Sequence, residues 1–308
     1  MPEGLQNWIS KTIENIEVVR KGLYDNSKNG AMAWNRYLVQ NNIMPSTEIQ
    51  ANLSKLYPCI EPSFVDPKVT TTNSLIQFSS YIVGPLLPVT WGQNCTYNDL
   101  CALNQNFNCN NILICINGRP PTGCVATAMS QIIRFHQFPN SYNYASMPVT
   151  FGNNEVQRLM SDAGESVETI YHCEYSSASG SDIPLAFKNI FHYSSANRNS
   201  YNSNSSYLNV RNNIDNMLPV LLEGKDFDGI GHAWVTDGIT ENTYTECGEG
   251  GYSVTYLYFH MNWGWNEIWR NLIGATNFNG WFAYDNWNIP GRNLNYAYYR
   301  YAVTEIQP

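Results

Sequence analysis

The stretch that decides the fold is Thr122-Gly123-Cys124-Val125-Ala126-Thr127-Ala128-Met129-Ser130-Gln131-Ile132-Ile133-Arg134-Phe135-His136. Pro120, Pro121 and Gly123 read as a loop, because proline and glycine break regular structure. Behind them an apolar stripe of Val125, Met129, Ile132, Ile133 and His136 follows helical spacing, and Pro139 ends it. Cys124 therefore falls at or next to a helix N-terminus. Unpaired backbone N–H groups and the helix dipole stabilise a thiolate there, so the thiol pKa is expected to fall. The same N–H groups could hold a developing oxyanion. Helix position alone leaves two readings open, a nucleophile or a small buried residue.

Further along, Gly231-His232-Ala233-Trp234-Val235-Thr236-Asp237-Gly238 alternates apolar and polar residues and ends in a turn signal, as a strand does. His232 opens it after the loop Asp226 to Gly231. A histidine at the mouth of a strand can be a general base or simply structural. Tyr256-Leu257-Tyr258-Phe259-His260-Met261-Asn262 reads as a second strand, running into the turn Asn262-Trp263-Gly264-Trp265. Asn262 could hydrogen-bond an imidazole and Trp263 could shield that contact, or the tryptophans could merely cap the core. Upstream, Trp91-Gly92-Gln93 offers a side-chain amide for an oxyanion hole. The Ser/Asn-rich segment Ser194 to Ser206 reads as a loop.

Composition narrows the classes. Of 308 residues only 14% are charged, while 43% are hydrophobic and 14% aromatic; disorder requires the opposite balance. Seventeen basic against 25 acidic residues give a net charge of −8. A charge-poor acidic chain argues against nucleic-acid binding, which depends on clustered Lys and Arg. No apolar run approaches the roughly 20 residues that span a bilayer, so membrane insertion is not expected. Asn, Ser, Thr and Tyr replace charge, a weak sign of a secreted protein. The cysteines are Cys59, Cys95, Cys101, Cys109, Cys115, Cys124, Cys173 and Cys247. No C-x-x-C occurs, which argues against zinc-ribbon and redox motifs, and no metal or cofactor is expected. Four cysteines crowd 95–115, where one or two disulfides stapling a long loop, or free thiols, are expected. Met1 to Tyr24 is an amphipathic helix by its spacing and lacks the basic and unbroken apolar regions of an export signal.

Cysteine on a helix, then histidine on a strand, then Asn-Trp on the next strand is the chain order of papain-like peptidases, and the sequence most resembles the streptopain family of bacterial cysteine peptidases (family C10). The resemblance rests on Thr122 to Ala128 with His136 and Pro139, on Gly231-His232-Ala233 with Asp237-Gly238, and on His260 with Asn262 to Trp265. Gln93 with Tyr97-Asn98 is similar to the family's glutamine segment, and Gly164 to Ser181 to its Ser-Gly-rich turn. The likeness covers about Gly84 to the C-terminus. It implies an α+β, papain-like two-subdomain fold, with a helical part carrying the nucleophile helix packed against an antiparallel β-sheet or barrel carrying the histidine. It implies a thiol protease, a cysteine endopeptidase hydrolysing protein or peptide substrates, with Cys124 as nucleophile and His232 as base and then acid. Gln93 and the Cys124 N–H would form the oxyanion hole, Asn262 and Trp263 would orient and shield His232, and Gly231 and Trp265 would line the substrate pocket, which in the family takes an apolar residue. No cofactor is implied.

The family is made as a zymogen. By that likeness, residues 1–80 are the end of a prodomain plus a linker, 81–308 are the catalytic domain, the prodomain is itself a partner, and the location is secreted or periplasmic. Departures from the family pattern lie at Asn266 to Asn279, at the long hairpin Thr240 to Ser253, and in the cysteine-rich stretch; they bear on substrate preference more than on catalysis. The other class open to this sequence is a catalytically silent peptide- or glycan-binding protein on the same fold, its motive the aromatic residues Trp265, Trp269, Trp281 and Trp287. Acyl transfer by the same dyad is a related possibility.

Overall fold

The structure, a computed structural model, describes residues 75–103, 105–109, 117–247, 253–266, 278–289 and 294–308. The amphipathic helix expected over Met1 to Tyr24, and the proposed prodomain remnant up to residue 74, lie outside the described residues. The chain divides into two compact units, one of residues 1–79 with 243–255 and one of residues 80–242 with 256–308.

In the larger unit, helix α1 (Cys124–His136) begins without a side-chain cap. Its N-cap, Gly123, has φ 89°, a value L residues adopt only with strain. The uncapped first turn leaves its N–H groups available to whatever sits on them. Gln137 closes the helix in the left-handed conformation, and the Arg134 guanidinium in the last turn complements the dipole. Met129, Ile132 and Ile133 are fully buried, each contributing roughly 1.5–3 kcal/mol by leaving water. Helix α2 (Asn154–Ser166) is capped by the Asn153 side chain, which accepts from the Val156 N–H.

The sheet is mixed in length but antiparallel in its registered pairs. In chain order its strands are β1 (Leu75–Val83), β4 (Ser195–Ser200), β5 (Val220–Lys225), β6 (Gly231–Cys247), β7 (Ser253–Asn262), β8 (Gly280–Ala283) and β9 (Tyr298–Gln307). They lie in the order β4-β9-β5-β6-β7-β8, with β1 against β6. A separate two-stranded ladder joins β2 (Ile170–Tyr171) to β3 (Ser176–Ser177). Both faces of the seven-stranded sheet are covered. Leu221, Ala233, Val235 and Val303 join the core built on α1 and α2, while Leu222, Trp234, Met261, Trp263 and Trp287 form a second core. Alternate residues of β5 and β6 thus serve opposite cores, as the strand period requires.

One expectation fails here. Ser194 to Ser206 is not a loop: it holds β4 and the start of helix α3 (Asn204–Asp215). The strand is an edge paired to β9 from Ser200↔Tyr301 to Ser195↔Gln307, with Ala196 buried. A ready-made partner edge overrides the weak strand preference of Ser and Asn. Cys109 reaches outside its own cysteine-rich stretch to bond Cys173, 64 positions away. Cys95 is also disulfide-bonded.

Candidate active site

The separated sequence motifs meet at the first turn of α1. Cys124 is its first residue, and with Cys101 it carries a free thiol. The loop before it is tied to the upstream motif, since the Thr122 N–H donates to the Gln93 carbonyl at 2.8 Å. The Asn-Trp-Gly-Trp turn packs on both. A Cβ on Gly92 would fall 2.3 Å from the Asn266 carbonyl oxygen, and one on Gly264 (φ +68°) would fall 3.1 Å from Cγ2 of Thr127. The close approaches that bring Gln93, Cys124 and Trp265 to one region therefore depend on two residues without side chains. On the sheet side, the sulfur of Cys124 feels the main-chain N–H of Ala233, next to His232, which pulls the thiol down.

His232 is buried and makes one hydrogen bond, Nε2 to the Trp263 carbonyl oxygen at 2.9 Å. A carbonyl only accepts, so Nε2 carries the proton and Nδ1 keeps its lone pair. Aromatic rings surround the imidazole. Trp265 lies 4.8 Å away between centroids, Tyr296 5.2 Å, Trp234 5.9 Å and Trp263 6.1 Å.

The expected bond from Asn262 to the imidazole is not formed. Both ends of the Asn262 amide are committed elsewhere: Nδ2 donates to the Val89 carbonyl at 2.8 Å, and Oδ1 accepts from Gln131 Nε2 at 3.2 Å and from the Gly264 N–H at 3.4 Å. Asn262 thus joins the Val89 segment, α1 and the turn that presents the Trp263 carbonyl. Trp263 is fully buried and meets His232 with both its ring and its main chain. Gly231 is exposed and Trp265 and Gln93 are partly buried.

Electrostatics also differ from the expectation at the thiol. Burial pushes the Cys124 thiol up, outweighing the N–H groups of Ala233, Val125 and Cys124, which pull it down; Glu223 adds to the rise. Glu223 stands opposite Ala233 in the β5–β6 register. Burial also lowers His232, to about 4, against the raising effect of the Trp263 carbonyl. Burial thus works on both partners in the direction of the uncharged form, against the main-chain N–H groups at the sulfur and the carbonyl at the imidazole. Cys101, buried near Asp99, is pushed up to about 12 and is inert by comparison.

One neighbour carried no sequence signal. Tyr296, in the segment before β9, is 4% exposed, packs beside His232 and is raised first by burial and then by the nearby Cys124. It sits in a Tyr/Asn-rich run with no motif to single it out. Among the described residues, no group of three or more His, Cys, Asp or Glu could hold a metal, and no helix is long and apolar enough to cross a membrane.

A search of solved structures finds interpain A of Prevotella intermedia, an active wild-type cysteine protease, with a TM-score of 0.54, 22% identity, and coverage of 72% of this chain and 94% of that one. A prointerpain A fragment matches with a TM-score of 0.53 and the same identity. At that identity the likeness speaks for the fold, the papain-like pairing of a helical part with an antiparallel sheet. Streptopain of Streptococcus pyogenes is 25% identical over 188 residues, covering 48% of this chain and 44% of that protein. The thiol protease/hemagglutinin PrtT of Porphyromonas gingivalis is 26% identical over 217 residues, covering 59% of this chain and 22% of that protein. The chain thus spans less than half the length of either relative. The Peptidase C10 family matches residues 91–150 and 140–268, a span that takes in Gln93, Cys124, His232 and the Asn262–Trp265 turn and exceeds half of the chain. On that match, this chain belongs to the C10 family of peptidases.

Proposed function

We propose that the chain is a cysteine endopeptidase, with Cys124 as nucleophile and His232 as the base and acid. The observation that carries this reading is a free thiol on an uncapped helix N-terminus, within reach of the main chain of Ala233, the residue after a histidine whose Nε2 is already engaged. His232 Nδ1 takes the Sγ proton as the sulfur attacks the peptide carbonyl carbon. The oxyanion of the tetrahedral intermediate is held by the Cys124 N–H and the Gln93 side-chain amide; each donor is worth about 3–4 kcal/mol. The imidazolium then protonates the leaving amine, leaving an acyl-enzyme. Water loses a proton to Nδ1 and attacks the thioester; the acid leaves, and the expelled Cys124 sulfur takes the proton back from the imidazolium. Trp263 orients and shields the imidazole, Asn262 holds the turn that presents its carbonyl, and Gly231 and Trp265 border the substrate.

This reading includes export and synthesis as a zymogen with an N-terminal prodomain. The Cys109–Cys173 disulfide supports it, since such bonds persist in oxidising compartments, as does the relative whose printed name is a pro-form. The test is labelling of the reduced protein with a thiol-directed epoxide, read by mass spectrometry, beside casein cleavage by wild type and Cys124→Ala. Label on Cys124 and not Cys101, with loss of cleavage in the variant, is the expected result. A folded, reduced protein that takes no label and cleaves nothing while still binding peptide or glycan would make it a binding protein instead.

A further inference from the structure

Among the described contacts the His232 imidazole makes one hydrogen bond, from Nε2 to the Trp263 carbonyl. One such bond does not by itself set the tilt of the ring, and the Asn262 amide, spent on Val89, Gln131 and Gly264, supplies no second one. Rings must do the remaining work. Trp265 lies 4.8 Å from the imidazole at 34°, and Tyr296 lies 5.2 Å from it at 29°.

Tyr296 is held by its main chain. Its N–H donates to the Trp287 carbonyl at 3.2 Å. Its own carbonyl oxygen lies where a Cβ on Gly224 would come within 2.2 Å, and Gly224 is the β5 partner of His232. The segment before β9 is thus pressed onto the strand pair that carries the histidine, an approach open only to glycine. The ring also packs on Trp234 at 5.8 Å and Trp263 at 6.1 Å, so it belongs to the same aromatic stack as the side chain of Trp263, whose carbonyl accepts from the imidazole.

We propose that Tyr296 is a positioning residue of this site: its ring walls the His232 imidazole and keeps Nδ1 aimed at Cys124, a task the side chain of Asn262 does not perform. The inference rests on the peptidase reading above. It goes beyond it by giving the C-terminal segment, outside the stretch matched by the family, a part in aligning the base.

The experiment uses Tyr296→Leu and Tyr296→Phe in the full chain. Cys124 alkylation by iodoacetamide is followed from pH 4 to 9, which needs no substrate, and kcat and KM are measured on one peptide. Loss of alignment costs about 10–100-fold in such sites. Tyr296→Leu is expected to lose that much in kcat, with KM within about threefold, and to alkylate slowly near neutral pH, recovering only as the thiol ionises by itself. Tyr296→Phe keeps the ring and is expected to restore both the rate and the profile. If Tyr296→Leu keeps the wild-type profile, or if Tyr296→Phe is as impaired as Tyr296→Leu, the proposal is overturned. A wild type whose Cys124 alkylates no faster than a free thiol at any pH overturns the dyad itself, and the two failures are thereby told apart.

Discussion

Replacing Asn262 with alanine separates two roles that the chain order alone assigns to one residue. The side chain is 2% exposed. Its removal leaves the Val89 carbonyl and the Gly264 N–H without the partners they have at 2.8 and 3.4 Å. Gln131 Nε2 keeps its second contact, the Trp91 carbonyl at 3.3 Å. Two orphaned buried groups cost about 1–3 kcal/mol each, and the vacated volume adds about 1 kcal/mol. The expected loss is about 4 kcal/mol, or about 10 °C in Tm for a unit of this size. The Trp263 carbonyl is main chain and stays, so kcat at a temperature where the variant is folded should remain within about tenfold of wild type. Thermal and urea unfolding supply the first quantity and peptide hydrolysis well below Tm the second. A variant as stable as wild type whose kcat falls a hundredfold or more would refute this reasoning, because Asn262 would then act on the imidazole directly.

Two further outcomes follow from the same structure. His232 is lowered from 6.5 to about 4 by burial, so the unfolded chain binds its proton more readily. The stability this gives is complete above pH 6.5 and is lost as pH falls toward 4, by about 3 kcal/mol. His136, also lowered to about 4 by burial, adds to the loss; urea midpoints should shift less over that range in His232→Gln, and equal shifts would count against a buried neutral imidazole. The Cys109–Cys173 bond closes a loop of 64 positions, so Cys173→Ser should lower stability by about 4 kcal/mol. Calorimetry of the oxidised wild type beside the variant checks this, and coincident transitions would show that the bond constrains little in the unfolded chain.

Much of the site could be read before folding because its elements carry local signals. Pro120, Pro121 and Gly123 mark the loop, and Val125, Met129, Ile132 and Ile133 mark the helix, so Cys124 at an N-terminus needs no tertiary information. His232 and Asn262 lie on segments whose alternation marks them as strands. What escaped depends on contacts across the chain. β4 and α3 hold only Ala196, Tyr207, Val210 and Ile214 as apolar anchors among Ser and Asn, and β4 exists because β9 offers an edge. The direction of the Cys124 shift is set by how deeply the thiol is buried, which a helix position does not state. The imidazole bonds the Trp263 carbonyl and not the Asn262 side chain, since a sequence does not say whether a side chain or the adjacent main chain faces a ring. Tyr296 became visible only through its approach to Gly224 and His232.

That the imidazole leans on a peptide carbonyl rather than on a side chain has a genetic consequence. No codon encodes that acceptor, so no single substitution deletes it. Scanning position 263 would register the loss of a fully buried indole while every variant retained the oxygen. The Nε2 contact is therefore insulated from substitution at position 263 itself and is lost only through changes that move the whole turn, such as a side chain at Gly264 or Gly92.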